Sequence, residues 1–261
     1  MVILTPVDQK SARKCKMTTR NLYDVRLGWI CWLVMIAISQ LSFAPFVCSQ
    51  GASVGSLPSD NRQPDAHPQD IHQLAQAVDS HYNHLRSLQS DFTEIYRGDG
   101  PERVESGTLW LKKPRKMRWE YRSPKEKLFI SDGQVVWFYL PAEKQVRKTS
   151  LNKLDDLRSP LAFLLGKTKL ENELRGLSKA IDQSPLDPRN LMLRGVPRAM
   201  AGQLREVLLE ITPSHQIARI ALVETDGATT EFRFADWKEN VNLVDSQFSF
   251  TPPAGAETVE E

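Results

Sequence analysis

The chain has 261 residues, 41% of them apolar and 25% charged, with a formal charge of +2. That composition suits one sizeable folded core and excludes a disordered, collagenous or disulfide-stapled chain. With residues 1–49 set aside, 28 basic and 30 acidic residues remain, a net of −2, so no global charge draws the body of the chain to a polyanion.

The first segment reads as a leader. Arg13, Lys14, Lys16, Arg20 and Arg26 precede an apolar run from Leu27 to Ile38, which Ser39, Gln40 and Ser42 break. Its 12 residues match a signal-peptide apolar region and are short for a membrane span. The pattern predicts export with cleavage near Ser49 and Gln50. The alternatives are a leader kept as an anchor and a lipidated Cys48, the second opposed by Val47 directly before the Cys. Cys15, Cys31 and Cys48 are the only cysteines, so from Gln50 onward no disulfide, thiolate nucleophile or thiolate metal site exists.

Residues 50–69 are rich in Ser, Gly, Pro, Asp and Gln and predict a flexible segment before a domain over 70–253. Ile71, Leu74, Ala75, Val78, Tyr82, Leu85 and Leu88 recur at helical spacing, with Asp70 placed to cap the helix. Strands are then predicted over 91–97, 102–112, 116–122, 126–131, 134–140 and 145–149. In 116–122, Met117, Trp119 and Tyr121 alternate with Lys116, Arg118, Glu120 and Arg122. Side chains two apart share a strand face, so aromatics and charges separate. A nucleic-acid surface needs them on one side, so this strand predicts a buried aromatic face instead. Asp132-Gly133 lies between two apolar runs, a hairpin signal, and the runs are apolar enough to be covered on both faces.

Ser159-Pro160 opens a short apolar helix ending near Gly166, and 170–181 reads as helical or mixed. Strands return over 190–194, 204–212, 217–224, 229–234 and 247–250, followed by a loose acidic tail over 254–261. The fold class expected is α+β: about 10–11 antiparallel strands curled into an unclosed β-barrel, with helices over the inner face.

Catalytic motifs are not found. His81 and His84 lie three apart on the first helix but lack further ligands, and no nucleophile elbow, phosphate loop or His-Glu-x-x-His is present. No enzyme, metal or cofactor is expected. What stands out is apolar surface: Trp110, Met117, Trp119, Trp137, Phe138 and Tyr139 in the strands, and Leu161, Phe163, Leu164 and Leu165 in the central helix. An apolar ligand cavity between sheet and helices accounts for them; mutual packing is the alternative.

Two blocks carry a family pattern. Gly107-Thr108-Leu109-Trp110-Leu111-Lys112-Lys113-Pro114 is followed by Trp119 and Pro124. Ser131-Asp132-Gly133-Gln134-Val135-Val136-Trp137-Phe138-Tyr139-Leu140-Pro141 then leads to Gln145-Val146. Residues 88–96, Ser159-Pro160-Leu161 with Leu164-Leu165, and 248–253 add support, so the likeness spans roughly 70–255. This chain resembles the LolA family of periplasmic outer-membrane lipoprotein carriers. The resemblance implies an unclosed barrel with a helical lid over an apolar cavity. It also implies a monomeric periplasmic carrier that takes acylated lipoproteins from an inner-membrane ABC transporter to an outer-membrane receptor, with no covalent chemistry.

On that basis the acyl-cavity lining is expected at Trp110, Met117, Trp119, Tyr121, Trp137, Tyr139, Leu161, Leu164 and Leu165. Members of the family carry Arg directly before the Pro, where it latches the lid. Here Lys113 takes that place, and a point-charge ammonium does not reproduce a planar fork. Lys112, Lys116 and Arg118 are expected to face water or a docking partner. The alternative function is a membrane-anchored periplasmic lipid or lipoprotein sensor, or a carrier of another lipid.

Overall fold

The computed structural model describes residues 68–151 and 169–260. Helix α1 (Pro68–His84) comes first, followed by β1 (Ser87–Arg97), β2 (Arg103–Lys112), β3 (Lys116–Ser123), β4 (Lys127–Ser131), β5 (Val135–Leu140) and β6 (Gln145–Ser150). A short helix α2 (Leu170–Glu173) leads into β7 (Leu174–Lys179), β8 (Leu191–Pro197), β9 (Leu204–Ile211), β10 (Ile217–Glu224), β11 (Thr229–Glu239) and β12 (Glu257–Glu260).

The twelve strands among the described residues form one sheet in the order β12-β6-β5-β4-β3-β2-β1-β11-β10-β9-β8-β7. Neighbours pair antiparallel except β12 with β6, which run parallel. The order starts at β12 and stops at β7 without closing. The unclosed, mostly antiparallel barrel read from the sequence is therefore the fold, with more strands than expected. Two strands are additions. In the stretch 170–181, read as helical or mixed, only Leu170–Glu173 is helical and Leu174–Lys179 forms β7. Residues 257–260, read as a loose tail, form β12 and pair with β6 from Glu257↔Gln145 to Glu260↔Lys148. Residues 247–250, read as a strand, instead end a 3-10 turn over Asp245–Phe248.

Helix α1 begins at Pro68, so Asp70 lies inside its first turn and not before it. Pro suits a first helical turn, where its missing N–H is not needed. The helix also ends earlier than its apolar periodicity suggests. Ser87 and Leu88 are already paired in β1, opposite Lys112 and Leu111. The turn between them is held by the Arg86 amide donating to Asn240 Oδ1 at 2.9 Å. The predicted helix after Ser159 lies outside the described residues.

Curvature follows from the aromatic contacts. Trp119 on β3 and Phe232 on β11 are three strands apart in the order, about 14 Å at ordinary strand spacing. Their ring centroids are 5.7 Å apart, so the sheet curls strongly toward the face that carries them. Helix α1 packs on this concave side: His81 Nε2 lies 3.0 Å from Glu239 Oε1, and Glu239 pairs with Leu88 of the concave face. Buried Ala75, Val78 and Tyr82 form the inner stripe of the helix. The Tyr82 hydroxyl accepts the Ile217 amide at 2.9 Å, fixing the helix to the start of β10.

The convex face is covered too, which explains the near-continuous apolar strands. On β8–β10, Met192, Leu208, Ala221 and Val223 cluster with Ala180. Residues 184–190 fold over them. The Leu186 amide and Asn190 Nδ2 each donate to Glu210 Oε1 at 2.8 Å, and Arg219 Nε stands 2.9 Å from Glu210 Oε2. A fully buried carboxylate thereby gets both hydrogen bonds and a counter-charge.

Candidate functional site

The register divides the predicted lining residues. Leu109 pairs with Trp119 and Leu111 with Met117, so these share a face with Tyr121. Phe129 opposes Trp119 and Phe138 opposes Phe129, extending that face through β4 and β5. In the other direction it continues through Leu88, Ser90 and Phe92 of β1, and Phe232 and Phe234 of β11. Ile220, Leu222, Leu209, Val207 and Leu193 complete it. The rings interlock edge to face: Phe92 lies 4.9 Å from Trp119 and 4.8 Å from Tyr121 between centroids. Most of this face is sealed, but Met117 and Phe129 are only half-buried.

Trp110, Trp137 and Tyr139 are on the opposite face, a correction to the expected lining. Trp110 opposes Arg118, and Trp137 and Tyr139 oppose Ile130 and Leu128. The physical reason is the period of two: on β2 and β5 these rings alternate with Leu109, Val136 and Phe138, which face inward. Trp137 and Tyr139 are covered by a strap over residues 240–256, which is bonded to β2 through Lys112 and to β3 through Arg118. Phe250 packs on Tyr139 and Trp137 at centroid distances of 5.5 and 6.4 Å, and Phe248 is fully buried. Leu161, Leu164 and Leu165 lie outside the described residues.

The strap also accounts for the basic row. Lys112 Nζ donates to the Leu243 carbonyl and to Asp245 Oδ1, both at 2.6 Å, and Lys116 Nζ lies 3.0 Å from Asp245 Oδ2. Arg118 is held by Glu120 at 2.8 Å and donates to the Gln247 carbonyl at 3.3 Å. These three cations, expected to face water or a docking partner, are part-buried and fasten the strap. Both lysines hold the Asp245 carboxyl below the usual carboxylate range, Lys112 foremost.

Lys113 points to the concave side. Its Nζ donates to the carbonyls of Tyr82 and Asn83 at 2.5 and 3.0 Å. A cation on the last carbonyls of a helix satisfies orphan acceptors and complements the negative end of the helix dipole. Within the described residues, then, Lys113 anchors α1. Lys113→Met is expected to destabilise the fold by about 1 kcal/mol, read as a lower urea midpoint with unchanged slope.

The far end of the concave face is polar, which sequence reading missed. Glu94 is 3% exposed and accepts the Tyr121 hydroxyl at 2.7 Å. Buried Lys127 pairs with Glu105 and stands 4.6 Å over the Tyr121 ring. Burial pushes the Glu94 carboxyl up to about 7; the Tyr121 hydrogen bond offsets part of this, Glu105 adds to it, and Lys127 and Arg103 oppose it. The Tyr121 hydroxyl is pushed well above its ordinary value, by burial first and then by Glu94. Phe92, Phe129, Phe232 and Phe234 were missed as well. Leu88 and Phe92 on alternate positions of β1 carry a signal, but Ser90 and Glu94 interrupt its apolar pattern.

A family model, "Outer membrane lipoprotein carrier protein LolA", matches residues 83–251, well over half of the chain. This chain belongs to the LolA family. The match starts in the last turn of α1 and takes in β1 to β11 and the strap as far as residue 251; β12 lies beyond it. An outer-membrane lipoprotein carrier protein of Dechloromonas aromatica is 30% identical over 194 residues, covering 72% of this chain and 89% of that protein. Another, of Methylococcus capsulatus, is 28% identical over 178 residues, 67% of this chain and 82% of that protein. Among solved structures, a LolA superfamily protein of Nitrosomonas europaea aligns with a TM-score of 0.39 and 14% identity, covering 69% of this chain and 97% of that one. At that distance the likeness adds nothing to the architecture already read from strand order. Both LolA sequence relatives lie at modest identity, so the placement of individual lining residues rests on the register above.

Proposed function

We propose that this protein is a periplasmic carrier that shields the acyl chains of lipoproteins between the inner and outer membranes, exported by its leader and processed near Gln50. The observation that carries the reading is the continuous apolar concave face, from Phe138 across Trp119 and Phe92 to Phe234, with Met117 and Phe129 left half-exposed on it. Each acyl methylene left in water costs about 0.8 kcal/mol, so three long chains cost tens of kcal/mol and do not diffuse free. A flexible thioether at 117 accommodates chains of varied shape.

In this reading Met117, Trp119 and Tyr121 line the cavity with Phe129, and Leu161, Leu164 and Leu165 form the lid over it. Lys113 steadies the end of α1 on the concave side. Opening such a lid exposes apolar surface, which offsets part of the binding gain and keeps transfer reversible. An inner-membrane ABC transporter supplies the cargo and an outer-membrane receptor takes it. The protein works as a monomer, without cofactor, nucleic acid or catalytic step.

Protein recovered from the periplasm is expected to carry acylated lipoprotein detectable by mass spectrometry. Met117→Glu and Leu164→Glu are each expected to reduce that cargo at least about tenfold, since a carboxylate among acyl chains costs several kcal/mol. Another lipid in place of lipoprotein would shift the role to lipid transport or sensing. A folded protein with no lipid of any kind would make the concave face plain core.

A further inference from the structure

The edge of the sheet at β6 is occupied in an unusual way. Strand β12 lies along it in parallel, and every one of its side chains is exposed. Its one large apolar side chain, Val259, is 38% exposed, so apolar burial contributes little there. Main-chain bonding holds it, beginning with the Glu257 amide to the Lys144 carbonyl at 2.8 Å, together with the ion pair between Lys148 Nζ and Glu260 Oε1 at 2.7 Å. The two strands are complementary in charge: Lys144, Arg147 and Lys148 lie along the β6 edge, and Glu257 and Glu260 lie on the strand paired with it. The residues matched by the family model stop before β12.

An uncovered edge strand presents a row of donors and acceptors that recruits any extended chain. A strand held by main-chain bonds and surface charge alone is exchangeable. An incoming strand replaces each lost bond with an equal one, and surface ion pairs contribute little. We propose that the β6 edge is a docking site for an extended acidic segment of a protein partner, and that β12 occupies it in cis until the partner displaces it. The partner strand runs parallel to β6. It places an acidic residue opposite Lys148 and β-formers before it, as Thr258 and Val259 stand now. The inference is independent of the lipid reading, because the edge lies outside the concave face.

The test uses a fluorescent synthetic peptide of residues 254–261, AGAETVEE, and periplasmic protein. A tethered segment acts at roughly millimolar effective concentration, so the unaltered protein is expected to bind the free peptide weakly. Val259→Pro removes an amide two residues along from the bonded Glu257, on the same side of the ladder. This variant, and a second one lacking residues 257–261, are expected to bind at least about tenfold tighter than the unaltered protein. Adding Lys148→Glu, or raising the salt, is expected to weaken that binding. Equal binding to all forms, or none to either variant, overturns the proposal. Dimerisation of the variants without peptide binding, seen by sedimentation, also overturns it, since the edge then selects a second copy of this chain.

Discussion

Gly107→Val is expected to destabilise the protein by on the order of 3–5 kcal/mol, a large part of the stability of a single domain. Gly107 stands where the register of β2 against β3 shifts, opposite Tyr121. A Cβ there would lie 1.9 Å from the Glu120 carbonyl oxygen and 2.8 Å from its carbon. Those atoms are main chain, so no rotamer change relieves the clash. Strand β3 cannot retreat either, because β4 holds its other side through Glu120↔Leu128. The two strands would have to part where Phe92 and Tyr121 close the concave face. Gly202 provides the control: nothing lies within 4 Å of its added Cβ, and Gly202→Ala is expected to change stability by no more than about 0.5 kcal/mol. Urea unfolding of both proteins decides the matter. A Gly107→Val protein as stable as the control would mean that the strands do not approach so closely.

The second large effect is a dependence on pH that originates inside the barrel. Burial raises the Glu94 carboxyl from 4.5 to about 7 in the folded protein, so the native state holds a proton that the unfolded chain gives up. Stability therefore falls as pH rises from about 4.5 to about 7, where the unfolded state binds fewer protons than the native one, and the loss levels off above that window. A shift of this size corresponds to about 3 kcal/mol. Glu94→Gln keeps the shape and still accepts the Tyr121 hydroxyl, but it has no charge to desolvate. It is expected to remove this decline and to stabilise the protein by about 1–3 kcal/mol at pH 8. Tyr121→Phe does the reverse. Without the hydrogen bond that lowers the Glu94 value, the window extends to higher pH. Thermal unfolding from pH 4 to 9 tests all three proteins, and parallel curves for Glu94→Gln and its parent would refute the assignment.

How far each feature was legible depended on whether its cause was local. The Asp132-Gly133 hairpin was readable because its chemistry is contained in four residues. Asp132 Oδ1 accepts the amides of Gln134 and Val135, both at 2.8 Å, and Gly133 takes a φ of +101°. The inward aromatic face of β3 was readable from strict alternation. Trp110, Trp137 and Tyr139 were assigned to the cavity because they are large, apolar and near Trp119 in sequence. Their face is set by register against neighbouring strands, and proximity in sequence does not specify it.

The same division separates what the sequence determined from what the tertiary structure decided. The sequence by itself determined the strand-rich domain, its central hairpin, the inward stripe of β3 and the membership of a lipoprotein-carrier family, each written in short-range pattern or motif. Only the tertiary structure decided that a strap would take the cations of Lys112, Lys116 and Arg118. It alone placed Lys113 under the end of α1, turned the acidic tail into β12 and buried a carboxylate against Tyr121. The partners in these contacts lie up to 133 residues apart, as for Lys112 and Asp245. Their energies depend on burial and distance, which exist only once the sheet has curled.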